Sequence, residues 1–202
     1  FQINSNLEKC NEVFPKDKIH MLGNPRATIA KEAKFDEEYF KSLGLDLEKK
    51  TILIVMGSLG SSSVNELMKS ALKGVDDNLQ FLYVCGKDNS QDLNLFENQK
   101  NIHVVPYVDT LRIYGHVDGM VCRAGATTLA EVTALGIPSI VIPSPYVANN
   151  HQFYNASMLL RQQACRIIEE KDLNAETLQG QIVSLYANPI VYEQTHEHAL
   201  QM

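Results

Sequence analysis

Short apolar runs rich in Val and Ile alternate along the chain with longer stretches in which apolar residues recur every three or four positions. The runs are Thr51–Met56, Gln80–Cys85, Ile102–Val105, Gly119–Cys122, Pro138–Ile142 and Cys165–Ile168, and their length and β-branched content read as buried strands. Between the first two, Val64, Leu67, Met68, Ala71, Leu72 and Val75 keep the i, i+3, i+4 spacing of a helix that buries one face. A second helix is expected from about Thr127 to Leu135, closed by Gly136 with Pro138 just beyond it. A third covers about Gln152–Arg161, and from about Asn174 onward two more helical segments are separated by Asn188-Pro189. Strands alternating with helices predict an α/β fold, a doubly wound parallel sheet with right-handed crossovers. Residues 1–22 are patterned differently: a short strand, a polar helix and Pro15 lead to Lys18–Leu22 and then to the break Gly23-Asn24-Pro25. They read as a connector, with the main domain over residues 23–202.

At 202 residues and 45% hydrophobic content, the chain can bury the core of one full domain but not of two. Its 18 basic and 24 acidic residues leave a formal charge of -6 without a Lys/Arg cluster, which argues against a nucleic-acid surface or a polybasic membrane patch. Small molecules or proteins are the expected partners. Cys10, Cys85, Cys122 and Cys165 form no C-x-x-C pair, and three of them lie in apolar runs, so reduced, buried thiols of a cytosolic protein are expected. No stretch approaches the roughly 18–20 apolar residues that cross a bilayer, and no signal pattern opens the chain, so a soluble, cytoplasmic protein is expected. The chain opens at Phe1 without a Met and stops at Met202 inside a helical pattern, which reads as a piece of something longer.

In doubly wound sheets ligands bind beyond the carboxyl ends of the strands, so the chemistry is sought in a few loops. The loop after the first long strand, Met56-Gly57-Ser58-Leu59-Gly60-Ser61-Ser62-Ser63, opens directly into a helix. Its glycines and hydroxyls suit a diphosphate, or equally a plain strand-to-helix turn with a capping hydroxyl. It has neither the Lys of a Walker A loop nor the third glycine of a dinucleotide fingerprint. The sharper constellation is Cys122-Arg123-Ala124-Gly125-Ala126-Thr127-Thr128-Leu129-Ala130-Glu131, which places Gly125 and two threonines at a helix start. There backbone amides and hydroxyls can hold phosphate oxygens at the positive end of the helix dipole. Glu131 fits either an acceptor for ribose hydroxyls or a capping-box glutamate reaching back to Thr128. Arg123 fits either a phosphate ligand or a strand-end ion pair. A third loop, Pro143-Ser144-Pro145-Tyr146-Val147-Ala148-Asn149-Asn150-His151-Gln152, is dense in side chains that both donate and accept, as sugar hydroxyls require; it also fits a long turn with Asn caps. His196 and His198, two apart on a helix, face different ways and do not make a metal pair, so no metal site is expected.

Four co-linear segments carry a resemblance that covers nearly the whole chain: Gly23-Asn24-Pro25-Arg26, Gly57-Ser58-Leu59-Gly60, Arg123 to Glu131, and Asn150-His151-Gln152-Phe153-Tyr154-Asn155-Ala156. Together they resemble the MurG family of bacterial glycosyltransferases, which move N-acetylglucosamine (GlcNAc) from UDP onto undecaprenyl-pyrophosphoryl-muramoyl-pentapeptide (lipid I) in peptidoglycan synthesis. The resemblance implies a GT-B architecture of two Rossmann-like domains. This chain would be the C-terminal, donor-binding domain, entered by a connector from a missing N-terminal acceptor domain. By motif, Arg26 would contact the donor and Ser58, beside Gly57, a phosphate. Val108 would hold uracil through its backbone, with Leu111 beside the ring. Ala126, Thr127, Thr128, Leu129, Ala130 and Glu131 would line the diphosphate and ribose, with Glu131 on the ribose hydroxyls. Gln152 would bind the GlcNAc hydroxyls, with His151 next to it. No cofactor is implied. The partners implied are UDP-GlcNAc and, through the missing domain, the lipid-linked acceptor, which puts the whole protein peripherally on the cytoplasmic face of the membrane. The family's N-terminal glycine-rich motif, with its suspected general-base His, is absent, so no catalytic residue is expected in this chain and transfer by it alone is not expected. Two other readings share the sequence evidence: a UDP-GlcNAc 2-epimerase, and the donor-binding subunit of a split glycosyltransferase.

Overall fold

A computed structural model describes residues 3–5, 15–56, 62–73, 75, 78–87, 96 and 99–202. Strands β1 (Ile3–Ser5) and β2 (Ile19–Met21) pair in parallel as a two-stranded sheet of their own. Helices α1 (Pro25–Glu32) and α2 (Glu37–Ser42) follow. Then come β3 (Lys50–Val55), α3 (Ser62–Ala71), β4 (Leu79–Val84), β5 (Ile102–Val105), the short α4 (Thr110–Ile113), β6 (Gly119–Cys122) and α5 (Ala126–Leu135). The chain ends with β7 (Ser139–Val141), α6 (His151–Arg161), β8 (Arg166–Ile167), α7 (Ala175–Tyr186) and α8 (Pro189–Leu200). The six apolar runs are thus the six strands of one sheet. Its order is β5-β4-β3-β6-β7-β8 and every pairing is parallel. The polar helix expected within the first 22 residues falls on positions outside the described ones.

Alternation along the strands divides the core into two layers, as a sheet covered on both faces requires. Ile52, Ile54, Phe81, Tyr83, Val121 and Ile140 face one layer, where Met68 and Leu72 of the α3 region and Leu178, Ile182 and Leu185 of α7 cover them. Leu53, Leu82, Met120, Cys122 and Val141 face the other, under Ala30, Phe40, Ile113, Leu129, Val132 and Leu159. Helix α8 serves both layers: Val191 and Tyr192 pack against the first and Ala199 lies in the second. Cys85, Cys122 and Cys165 are buried thiols, and burial pushes Cys122 and Cys165 up to about 12.

Helices α1 and α2 lie where the sequence pattern reads only a break. The segment Gly23-Asn24-Pro25 is a helix start, with the Asn24 side chain accepting the Arg26 N–H at 3.0 Å and Pro25 at the first helical position. Asp36 caps α2 likewise, accepting the Tyr39 N–H at 2.9 Å. At the other end of α5, Gly136 closes the helix in the left-handed region at φ 66°, and its carbonyl lies 2.6 Å from the His196 imidazole of α8.

Of the described glycines, Gly119, the first residue of β6, is the most closely approached by its neighbours. A Cβ there would stand 2.2 Å from the Tyr186 ring, whose hydroxyl donates to the carbonyls of Met120 and Pro138 at 3.0 and 3.3 Å. The ring cannot withdraw without breaking those bonds, so Gly119→Ala is expected to destabilise the fold by about 3 kcal/mol, the upper end of the cost of overpacking a core. Urea unfolding checks this: a midpoint shift corresponding to less than about 1 kcal/mol would show that Tyr186 yields freely.

Candidate nucleotide-binding site

The sheet reverses its winding between β3 and β6, since the chain moves outward to β4 and β5 before returning to β6 on the far side of β3. Loops that leave adjacent strands in opposite directions open a crevice, and ligands of open α/β sheets bind there. The two loops at this point are the glycine loop after β3 and the segment Arg123-Ala124-Gly125 after β6. Gly57 and Ser58 lie outside the described residues. The β6 loop and the start of α5 are described in full.

Ala124 is fully buried and both its peptide groups are held from α6. Its N–H donates to Gln152 Oε1 at 3.2 Å, and its carbonyl accepts from Asn155 Nδ2 at 3.1 Å. The same Gln152 oxygen accepts the Ser144 N–H at 2.9 Å, so one carboxamide ties the loops after β6 and β7 together. Gln152 and Asn155 are three apart and share a helix face. Their helix starts abruptly after Asn149 and Asn150, both left-handed at φ 54° and 50°, a conformation Asn tolerates better than most residues. His151 is exposed, with Nδ1 3.0 Å from the Ala148 carbonyl. Gln152 is therefore more committed to the fold than its sugar-reading expectation implies: its oxygen is occupied, and the amide nitrogen remains for a ligand.

Helix α5 begins at Gly125, which has φ -67° and ψ 136°, and no side chain caps it. The first amides of the helix, from Ala126 on, have no intrahelical carbonyl to bond. Thr127 is exposed beside them, Ala126, Thr128 and Ala130 are half-buried, and Leu129 is in the core. Nothing in the chain demands glycine at 125: the backbone is ordinary and an added Cβ would meet only Thr128 Oγ1, at 3.9 Å. Arg123 is in an ion pair with Glu170 at 2.6 Å and donates to the Ile142 carbonyl at 3.1 Å, so of its two readings the strand-end ion pair is the one observed.

Glu131 does not reach back to Thr128, which removes the capping-box reading. It is 5% exposed, and both carboxylate oxygens are engaged. Oε1 accepts from Arg26 Nε at 2.6 Å and Nη2 at 2.5 Å, while Oε2 accepts the Tyr114 hydroxyl at 2.6 Å. Arg26 gets there because α1 lies along α5. Burial first, and then the hydrogen bond to Glu131, raise the Tyr114 phenol far above its ordinary value, so it stays a donor at any working pH. Val108 is buried and Leu111 half-buried in the same core layer. The chain next to Val108 is fixed by Tyr39, whose hydroxyl accepts the Asp109 N–H at 3.0 Å. Arg26 and Glu131, 105 residues apart, are thus brought together, and Gln152 joins the β6 loop. Tyr114 and Asn155 were not among the sequence-derived site residues. A lone Tyr gives no local signal, whereas Asn155 could have been found as a polar residue on the core face of α6.

Residues 51–201 match the family model described as the glycosyltransferase family 28 C-terminal domain. The chain belongs to this family. Among relatives of the family 28 domain, the UDP-N-acetylglucosamine--N-acetylmuramyl-(pentapeptide) pyrophosphoryl-undecaprenol N-acetylglucosamine transferase of Thermoanaerobacter sp. is 40% identical over 91% of the chain and 52% of its own length. The same enzyme of Halalkalibacterium halodurans shows the same identity and coverage. The chain therefore spans about half the length of these relatives. Among solved structures, MurG of Acinetobacter baumannii superposes with a TM-score of 0.69 at 28% identity, over 86% of this chain and 50% of that one. A UDP-N-acetylglucosamine 2-epimerase superposes at 0.64 over 93% of this chain and 48% of that one, but at 13% identity it shares the fold alone.

The clamp on Ala124 predicts the effect of Asn155→Ala. It strands a buried carbonyl, which costs about 1–3 kcal/mol. A urea midpoint lowered to that extent with an unchanged slope is expected. A change below about 0.5 kcal/mol, the usual range for a surface substitution, would show that the carbonyl finds another donor.

Proposed function

We propose that the chain is the UDP-GlcNAc-binding half of a transferase that moves GlcNAc onto lipid I, the undecaprenyl-pyrophosphoryl-muramoyl-pentapeptide, to form lipid II. The observation that carries this reading is the uncapped start of α5 at the winding reversal, with the buried Glu131 carboxylate one turn further on. Backbone amides from Ala126 to Thr128 and the threonine hydroxyls suit a diphosphate, and the helix dipole there favours negative charge. Glycine at 125, which the chain itself does not require, suits close approach of a ligand. The likeness to transferases with this donor supports UDP-GlcNAc over other nucleotides.

In this reading the diphosphate lies on Ala126, Thr127 and Thr128, with Ser58 and Gly57 completing its cradle. One ribose hydroxyl donates to the lone pair left on Glu131 Oε2, Val108 and Leu111 flank the uracil, Leu129 and Ala130 back the pocket, and Arg26 contacts the donor beside Glu131. The Gln152 amide nitrogen donates to a GlcNAc hydroxyl, with His151 at the rim. As the acceptor hydroxyl attacks the anomeric carbon with inversion, charge develops on the departing UDP, and the α5 amides stabilise it. The acceptor and the base that deprotonates it belong to the rest of the protein, so the chain binds the donor and does not transfer it. Among the described residues no helix is long and apolar enough to cross a membrane, and the whole enzyme works peripherally at the cytoplasmic face, where the lipid-linked acceptor is presented.

Calorimetry with UDP and UDP-GlcNAc tests this reading, with both expected to bind weakly because the second half of the cleft is missing. In Gln152→Ala both ligands lose some affinity with the clamp, but UDP-GlcNAc loses about 1 kcal/mol more, the worth of one hydrogen bond. No binding of either ligand at millimolar concentration would overturn the donor-site reading. Equal losses would confine Gln152 to the clamp.

A further inference from the structure

We infer that Tyr114 is a positioning residue: its hydroxyl holds the Glu131 carboxylate in the orientation that reads the ribose of the donor. The inference rests on the proposed contact between Glu131 and the ribose hydroxyls and goes beyond it by naming what makes that contact selective. A glutamate side chain has three rotatable bonds, and ordering it costs conformational entropy that a free carboxylate would meet when the ligand binds. In this structure the cost is met in advance by two restraints from different elements. Tyr114, in the turn that follows α4, donates to Oε2 at 2.6 Å, and Arg26 of α1 donates twice to Oε1.

The two restraints are not equivalent. The Arg26 side chain is 38% exposed, so it is open to solvent and to an incoming ligand, and it can exchange partners when a diphosphate arrives. The Tyr114 ring is in the core layer with Ile113, Leu129 and Val132 and is 5% exposed. Its hydroxyl donates to a carboxylate that is itself buried, and the phenol remains protonated throughout the working pH range. Only the tyrosine is therefore a fixed reference. It anchors Oε2 in the core and sets the plane and direction of the lone pair left on that oxygen. Vicinal hydroxyls need an acceptor of fixed direction, whereas a ligand without them gains nothing from it.

The experiment titrates the chain and its Tyr114→Phe variant with UDP and with 2′,3′-dideoxy-UDP, following binding by calorimetry. The ring remains in the variant, so its packing is kept. Wild type is expected to bind UDP at least fivefold more tightly than the dideoxy analogue. In Tyr114→Phe the affinity for UDP should fall about fivefold to tenfold, the range for losing the net worth of one ordinary hydrogen bond, and that for dideoxy-UDP less than twofold. In a Glu131→Ala background, Tyr114→Phe should have no further effect on UDP. Equal losses for the two nucleotides, or no loss for either, would overturn the positioning role. A wild type that does not distinguish them would overturn the Glu131–ribose contact itself, and with it the inference. If Tyr114→Phe fails to fold, the Glu131→Ala chain alone decides whether the ribose is read: retained discrimination overturns both statements.

Discussion

Because every strand of the main sheet runs in the same direction, all the loops that follow strands gather at one edge. The chain's change of direction after β5 sends the helices that follow β3 and β6, α3 and α5, to opposite faces of the sheet. A parallel sheet must also bury both faces, which accounts for the near-continuous apolar runs and for helices on either side. The remaining features of the site follow from this constraint. The turn out of β6 leads straight into α5, so the start of that helix stands at the crevice. Helix α6, returning from β7, passes close enough for Gln152 and Asn155 to grip the Ala124 peptide. The helix that offers its amides is thus held from its neighbour.

Glu131 is the expensive element of the arrangement. A buried carboxylate is tolerated only when its charge and its lone pairs are met, and removing one partner of such a set costs more than the set contributes. Here the partners come from α1 and from the turn after α4, with Arg26 the cation and Tyr114 the neutral donor. The pairing also joins α1 to α5, the helix whose start is the candidate site. A group placed in this way serves stability poorly compared with a well-packed apolar residue.

The strands were legible because a two-faced buried sheet leaves continuous apolar runs, and each run lies within a residue or two of its strand, the ordinary uncertainty of strand ends. Helix α5 was legible from its apolar spacing and from Gly136, which its left-handed closure requires. Helix α1 was not, because Pro-Arg-Ala-Thr-Ile-Ala-Lys-Glu buries only Ala30 and shows no apolar stripe; Asn24 and Pro25, read as a break, are its cap and first turn. At the site, local spacing offered Glu131 two local readings. The partners observed lie 105 and 17 residues away, and the packing of α1 along α5 brings the farther one in, which no spacing rule encodes. Arg123 was legible as one of two alternatives because a strand-end arginine can pair with a carboxylate as readily as with a phosphate, and the carboxylate here is Glu170, distant in sequence. Gln152 shows a related limit of local spacing: an amide that can read a sugar can equally tie two loops, and only the fold shows which of its atoms is committed.

The central claim is that the start of α5 is where a nucleotide diphosphate sits. Mapping backbone amide shifts of the chain during a UDP titration tests it most directly. The account predicts that the largest saturable shifts fall on Gly125, Ala126, Thr127 and Thr128, with the Arg26 side-chain N–H moving in parallel. The chain also holds a cavity of about 560 Å³ between the ends of α6 and α8, lined by Met158, Arg161, Gln162 and His198. Shifts concentrated there, with α5 unmoved, would contradict the account.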